Sequence, residues 1–324
     1  MKDFPQYPID RVLFETTEFC ENRCYFCYGD YGPEGQHMSS EQFSLYLKNL
    51  IEADLLAPDS MLILFGGEIL NHPQCLEICR AAAELKKPSM HLVIITSGKF
   101  RAEFKEQVEA LMNQPGLLHH WEVSIKDMES FEFGMKLLKK EQEVLFRYDY
   151  PNPAALKKSI ENFFLQVKSY GIWKEFKRSN PALEKELRHA RKKAASNPDT
   201  VIIEEFFYPK GIGGLSSVGL TFSPLDRSVM RKGGVRAEAK CSLFHSQYQT
   251  AIHVTREGTV FPCHLPRFKK RCEPLGNAAD LDFLRNYQSK AAEFRAALSD
   301  MQKKQYSQTG ICIEGCRGKV RLNP

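Results

Sequence analysis

No stretch of this sequence approaches the ~20 consecutive apolar residues that cross a bilayer. Its conspicuous apolar runs, such as Met61-Leu-Ile-Leu-Phe65, are strand-sized. The opening Met1-Lys-Asp-Phe-Pro-Gln-Tyr-Pro8 has no apolar segment of the kind a secretory signal needs, so a cytoplasmic protein without a membrane partner is expected. There is no internal repeat and no low-complexity tract. A disordered chain is excluded as well, since 43% of the 324 residues are hydrophobic. That is enough for one large α/β domain with an appendage, or for two domains.

A large net charge is also missing. The formal value is +5, and residues 174–196 alone carry eight Lys/Arg against three Glu, so the rest of the chain is balanced. A nucleic-acid protein spreads basic residues over a whole face, whereas this is one helical segment. It is expected to be a solvated surface helix inserted in the fold; its functional reading is a receiver for an acidic leader peptide or a phosphate-bearing substrate.

Cysteine, by contrast, is plentiful. Ten cysteines without a secretion signal point to metal ligands or redox groups, because cytosolic thiols are kept reduced. Cys20, Cys24 and Cys27 stand at the front, and Cys241, Cys263, Cys272, Cys312 and Cys316 fall in the last quarter, which implies two sites. Cys75 and Cys79, four apart on a helical pattern, read as buried small hydrophobes.

Apolar strand-sized runs at 12–16, 61–65, 91–96, 121–125, 144–148 and 201–206 alternate with helical patterns at 40–53, 74–87, 102–113, 131–140 and 154–170. Repeated βα units imply parallel strands with right-handed crossovers. Six are too few for a full eight-stranded barrel, so an open partial barrel or a doubly wound sheet is expected, with ligands at the carboxyl ends of the strands. The glycine-rich stretch 209–219 reads as the junction to a smaller unit containing a hairpin, 252–255 and 260–262, and a helix over 281–301.

The chemistry concentrates in Phe14-Glu-Thr-Thr-Glu-Phe-Cys20-Glu-Asn-Arg-Cys24-Tyr-Phe-Cys27-Tyr28, just past the first strand. Three thiolates in one loop can converge on an iron–sulfur cluster and leave one iron open. Zinc is the rival, and His37 is the nearest candidate for its fourth ligand. With Phe26 before the last cysteine, the motif resembles the signature of the radical S-adenosylmethionine (SAM) enzymes. The resemblance implies a 4Fe-4S cluster on Cys20, Cys24 and Cys27, SAM chelating the open iron, its cleavage to a 5′-deoxyadenosyl radical, and a six-stranded partial (β/α)6 barrel. Gly66-Gly67-Glu68 resembles the family motif that holds the SAM amino group. Thr96-Ser97-Gly98 resembles a Thr-Asn-Gly with Ser for Asn, and Ser124-Ile-Lys-Asp127 a Ser-x-Asp near the SAM ribose and carboxylate, with Lys inserted.

Toward the C-terminus, Cys241, Gly258-x4-Cys263, Leu275-Gly276-Asn277 and Cys312-x3-Cys316 resemble the SPASM extension of that family. A full SPASM domain has further cysteines before the final pair, and residues 301–310 have none, so the likeness is to the shortened twitch version with one auxiliary 4Fe-4S cluster. Its fourth ligand is Cys312 or Cys272, or a substrate or solvent position; a structural zinc is the alternative.

The expected organisation is a barrel over 1–210 with the 174–196 insertion, a linker over 211–240, and a small α+β auxiliary-cluster domain over 241–324. An auxiliary cluster suits removal of an electron from a substrate radical, so the resemblance implies an oxidoreductase that oxidises or cross-links its substrate. A ribosomally made peptide ranks first; a sugar, aminocyclitol or nucleotide is the alternative. The motif begins at residue 20, so no winged-helix leader-binding module is expected ahead of it, which weakens the peptide reading without excluding it, because such a module can be a separate chain. An external one-electron reductant such as flavodoxin or ferredoxin is implied. Nucleic acid ranks below these partners, and two readings from other classes remain: an RNA-modifying radical SAM enzyme, whose binding would depend strongly on salt, and a zinc-stabilised interaction protein.

Overall fold

The computed structural model describes residues 9–22, 24, 31–150, 153–196, 202–210, 214–224, 251–261, 274–291 and 293. Along the chain these form β1 (Ile9–Thr17), α1 (Ser40–Glu52), β2 (Leu56–Gly66), α2 (Cys75–Leu85), β3 (His91–Thr96), α3 (Lys105–Met112), β4 (His120–Ser124), α4 (Met128–Lys139), β5 (Val144–Tyr150) and α5 (Pro153–Ser169). Then follow α6 (Trp173–Ser179), α7 (Leu183–Ser196), β6 (Ile202–Lys210), β7 (Gly214–Pro224), β8 (Ala251–Val254), β9 (Thr259–Phe261), β10 (Gly276–Asn277) and α8 (Leu281–Arg285). They fall into two units, residues 1–93 with 228–324, and residues 94–227. Each is a mixed α/β body on a sheet that combines parallel and antiparallel pairs and does not close, within the α/β class expected from the sequence.

In the first unit the strand order is β10-β9-β8-β1-β2. β1 is parallel to β2, with Val12 beside Leu62 and Phe14 beside Leu64. Phe14 to Thr17 are all buried, as are Leu62 to Phe65, so neither strand end alternates; the run in β2 is apolar throughout, whereas β1 buries the polar Glu15, Thr16 and Thr17. α1 starts in a reciprocal cap: the Gln42 amide donates to Ser39 Oγ at 3.2 Å and the Ser39 amide to Gln42 Oε1 at 2.9 Å. It buries Phe43, Tyr46, Leu47 and Leu50. Cys75 and Cys79 are buried on α2, where small hydrophobes were expected. The contact with Cys79, and then burial, push the Cys75 thiol well above its ordinary pKa.

β8 lies parallel to β1 on the side away from β2, with Leu13 beside His253. The expected hairpin is present as β8 and β9, antiparallel, with Gly258 at φ +80° in the turn. A Cβ there would stand 2.7 Å from both the Tyr46 ring and Asn277 Oδ1. The hairpin is thereby built into the sheet that starts the chain. Asn49 of α1 fastens the turn after β10, donating to the carbonyls of Ala278 at 3.0 Å and Ala279 at 3.2 Å. α8 is capped by Asp280 and ends at Arg285; of the helix expected over 281–301, residues 287–291 are also helical and most of the remainder lies outside the described residues.

The second unit has the order β4-β5-β7-β6. Here the strand reading needs correcting. The strand expected at 201–206 is β6, but it pairs antiparallel with β7, and the strand parallel to β5 is β7, from the stretch read as a junction. The glycines misled the reading. Gly219 sits opposite Leu145 in the β5–β7 pairing, and Val218, Leu220 and Phe222 are buried in strict alternation, the pattern of a strand. The covered face stacks Trp121, Phe146 and Tyr148 against α4 and α5, with Phe131 5.5 Å from Phe146 and Phe163 6.0 Å from Tyr148. The opposite face is polar: Arg147 bonds Glu122 at 2.7 Å and Asp149 at 2.9 Å. The insertion is two helices, α6 and α7, interrupted at 180–182.

Candidate functional site

β1 ends at Thr17, and the cysteine loop starts there. The Thr17 hydroxyl accepts from the Phe19 amide at 3.0 Å and lies 2.9 Å from His37 Nδ1. Backbone bonds close the loop on itself: Cys20 N to Gly32 O at 3.0 Å, Gly32 N to Glu18 O at 3.1 Å and Met38 N to Thr16 O at 2.8 Å. Cys20 is held buried and Cys24 half-buried at the carboxyl end of β1. Phe26 and Cys27 lie outside the described residues.

Gly66-Gly67-Glu68 leaves the carboxyl end of β2 directly against this loop. Gly67 N donates to Thr17 O and Glu68 N to Phe19 O, both at 2.8 Å. Gly66 has φ +147°, and a Cβ on it would stand 2.0 Å from Thr17 O. A Cβ on Gly67 would stand 2.1 Å from Phe19 O and 2.9 Å from Cys20 Cβ. Only glycine lets the two strand ends close this far. Glu68 is buried, and its carboxylate accepts the Leu70 amide at 3.2 Å, capping the 3-10 turn Ile69–Asn71. The structure thus brings Cys20 and the Gly-Gly-Glu segment together, and thiolate donors beside a close-packed glycine pair suit the cluster expected there.

Two histidines brace the loop's return: His37, weighed from sequence only as a zinc ligand, and His72, which sequence reasoning missed. His72 Nδ1 accepts the Gln74 amide at 2.9 Å, so Nε2 carries the proton donated to Met38 O at 2.8 Å. Burial, then neighbouring His37, lower the His72 pKa to about 4. The His37 ring packs on His72 with centroids 4.9 Å apart, and burial followed by the Arg256 charge lowers its pKa too. Arg256, in the β8–β9 turn, reaches the loop at Glu18, 3.5 Å away. Among the described residues, which omit Cys27, no group of three metal-ligating side chains occurs.

In the second unit, Gly98 has φ +74°, its amide bonds Thr96 Oγ1 at 2.9 Å, and a Cβ would strike the Phe133 ring at 2.5 Å. Ser97 beside it is buried, and Ser124 is half-buried at the end of β4, next to Arg147 of β5. Asp127 is the N-cap of α4: Oδ1 accepts the Ser130 amide at 3.1 Å, and Oδ2 meets Lys99. Burial works to raise its pKa, but Lys99 and Ser130 outweigh it and the net shift is downward; Asp127 in turn raises that of Lys99. Lys99 and Arg147 were not singled out from sequence, although charges at the ends of apolar strands were the available signal. Cys241, Cys263, Cys272, Cys312 and Cys316 lie outside the described residues.

Residues 14–144 match the family model described as Radical SAM superfamily. No curated protein matches the chain in sequence. Among solved structures, the chain is similar to SuiB of Streptococcus suis bound to precursor peptide SuiA, with TM-score 0.55 and 10% identity over 89% of this chain and 67% of that one. It is similar to BtrN in complex with AdoMet and 2-DOIA, with TM-score 0.50 and 14% identity over 95% and 92%. It is also similar to anSMEcpe with bound AdoMet, with TM-score 0.50 and 13% identity over 96% and 85%. These likenesses show the fold, an open arrangement consistent with the partial (β/α) barrel expected for a radical SAM domain. Among the described residues no helix is long and apolar enough to cross a membrane.

Proposed function

We propose that this chain is a cytoplasmic radical SAM oxidoreductase that matures a ribosomally made peptide by oxidation or cross-linking. The observation that carries the reading is the close approach of the Cys20 loop and Gly66-Gly67-Glu68, locked by two backbone bonds at positions where any side chain would clash. Cys20, Cys24 and Cys27 hold the 4Fe-4S cluster, and the buried Glu68 carboxylate suits the ammonium of SAM. Ser97, Ser124, Asp127 and, from its place in the motif, Phe26 are the remaining candidates for cofactor contacts, and flavodoxin or ferredoxin delivers the electron. When bound, cluster and SAM supply a carbon radical able to take hydrogen from an unactivated C–H bond. The protein's share is to orient that bond and exclude water.

The domain division proposed from sequence, 1–210, 211–240 and 241–324, belongs to this reading, with β7 drawn from the linker into the sheet beside β5. Gly258 stands in the hairpin turn of β8 and β9, and Cys263 follows two residues after β9, which supports an auxiliary cluster on Cys241, Cys263, Cys316 and Cys312 or Cys272. The likeness to SuiB bound to its precursor peptide favours a peptide substrate. Oxidation of a small molecule is the second reading, favoured by the likeness to BtrN in complex with 2-DOIA.

Anaerobically purified protein is expected to be brown with about eight iron atoms per chain, from two cubane clusters. Replacing Cys20, Cys24 and Cys27 together by Ala should remove roughly half the iron and all SAM cleavage. Stoichiometric zinc without iron, or cleavage surviving in the triple variant, would overturn the proposal.

A further inference from the structure

The +5 segment is a folded element of the second unit, made of α6 and α7. Phe176 of α6 is buried, 5.7 Å from Phe163 of α5, and Leu183 and Leu187 bury one side of α7. Asn180 is buried between the two helices, and its side-chain amide donates to Phe176 O at 2.9 Å. Lys174, Lys177, Arg178, Lys185, Arg188 and Lys192 are left exposed. On α7 the exposed cations fall at helical spacing, on the side away from Leu183 and Leu187. Leu165 of α5, the helix that α6 and α7 pack on, is 61% exposed.

We infer that the surface of α6 and α7 docks an acidic segment of a peptide. Two features favour a peptide over a nucleic acid. Lys168 and Lys177 stand over the Trp173 ring at 4.7 and 4.8 Å, and Phe176 stacks on it at 10°, so the one tryptophan here offers no open platform for a base. Glu175, Glu184 and Glu186 interrupt the cations, and Arg188 is engaged by Glu184, which breaks the continuous strip that a phosphate backbone needs. Spaced carboxylates of a peptide match cations separated in this way. That the segment belongs to the substrate rests on the peptide reading above.

The test uses the full, iron-loaded chain and its Lys174→Glu/Arg178→Glu/Lys185→Glu/Lys192→Glu variant, all exposed positions outside the SAM site. Binding is read by fluorescence anisotropy with three labelled probes: a short Glu-rich peptide containing leucines, its Gln counterpart, and a uridine oligonucleotide of equal charge. The parent should bind the Glu peptide in preference to the other two, less tightly at high salt. The variant should bind it at least about tenfold more weakly while cleaving SAM at the parental rate. Equal binding by the variant, or tighter binding of the oligonucleotide than of the Glu peptide by the parent, overturns the inference. Loss of Glu-peptide binding in a variant that still cleaves SAM supports it. Failure of the peptide-substrate reading would show separately, as SAM-active protein that modifies small molecules and no peptide.

Discussion

Glu15 of β1 and His253 of β8 face each other at 2.9 Å, Nε2 to Oε2, with both side chains fully buried. The rings of Phe65 and Phe261 lie 5.3 and 6.2 Å from the imidazole. With both groups charged, an effective dielectric of about 20 gives about 6 kcal/mol of attraction at this distance. Taking the two ions out of water costs several kcal/mol each, so the pair adds little net stability. Removing one member is another matter, because the buried partner keeps its desolvation cost. Glu15→Leu is expected to destabilise the protein by about 3–5 kcal/mol, and Glu15→Leu/His253→Leu to recover most of that. The assay is urea unfolding followed by circular dichroism on samples of equal iron content, with the denaturant slope checked for constancy. A single-variant loss below about 1 kcal/mol, or a double variant as unstable as the sum of the singles, would refute the reasoning.

Three further outcomes are expected. His72 takes up its proton near pH 4 in the folded chain and near 6.5 when unfolded, so stability should fall as pH drops from 6.5 toward 4, by up to about 3 kcal/mol; unfolding midpoints of the parent and His72→Gln across that range should diverge, and parallel curves would contradict the assignment. Asp127→Ser should keep the α4 cap and Asp127→Ala should lose it at a cost of about 1 kcal/mol, so weakened SAM binding in the Ser variant by calorimetry marks a ligand role, and unchanged binding marks Asp127 as a cap alone. Glu68→Gln preserves an acceptor for the Leu70 amide and removes the charge; SAM affinity should drop by ~1.5–3 kcal/mol with iron content unchanged, and unchanged affinity would take Glu68 out of the SAM site.

The sequence by itself determined what short-range chemistry controls. Continuous apolar runs marked β1 to β5, covered helices followed from their stripes, and Cys20, Cys24 and Gly66-Gly67-Glu68 were visible because turns and donor sets are written in adjacent residues. Their placement at consecutive strand ends followed from parallel pairing alone. Tertiary structure decided the rest. That β8 stands beside β1, and that Glu15 meets His253 across 238 positions, depends on which buried surfaces fit, a property no local window contains. The exchange of β6 for β7 next to β5 has the same origin: both segments have strand character, and only the tertiary pairing shows which of them lies beside β5. Asp127 illustrates it within a few residues, since its pattern named a candidate SAM contact and only the fold added its cap to Ser130 and its ion pair with Lys99. A carboxylate takes the nearest donors that the fold supplies, and those come from a neighbouring strand end as readily as from its own.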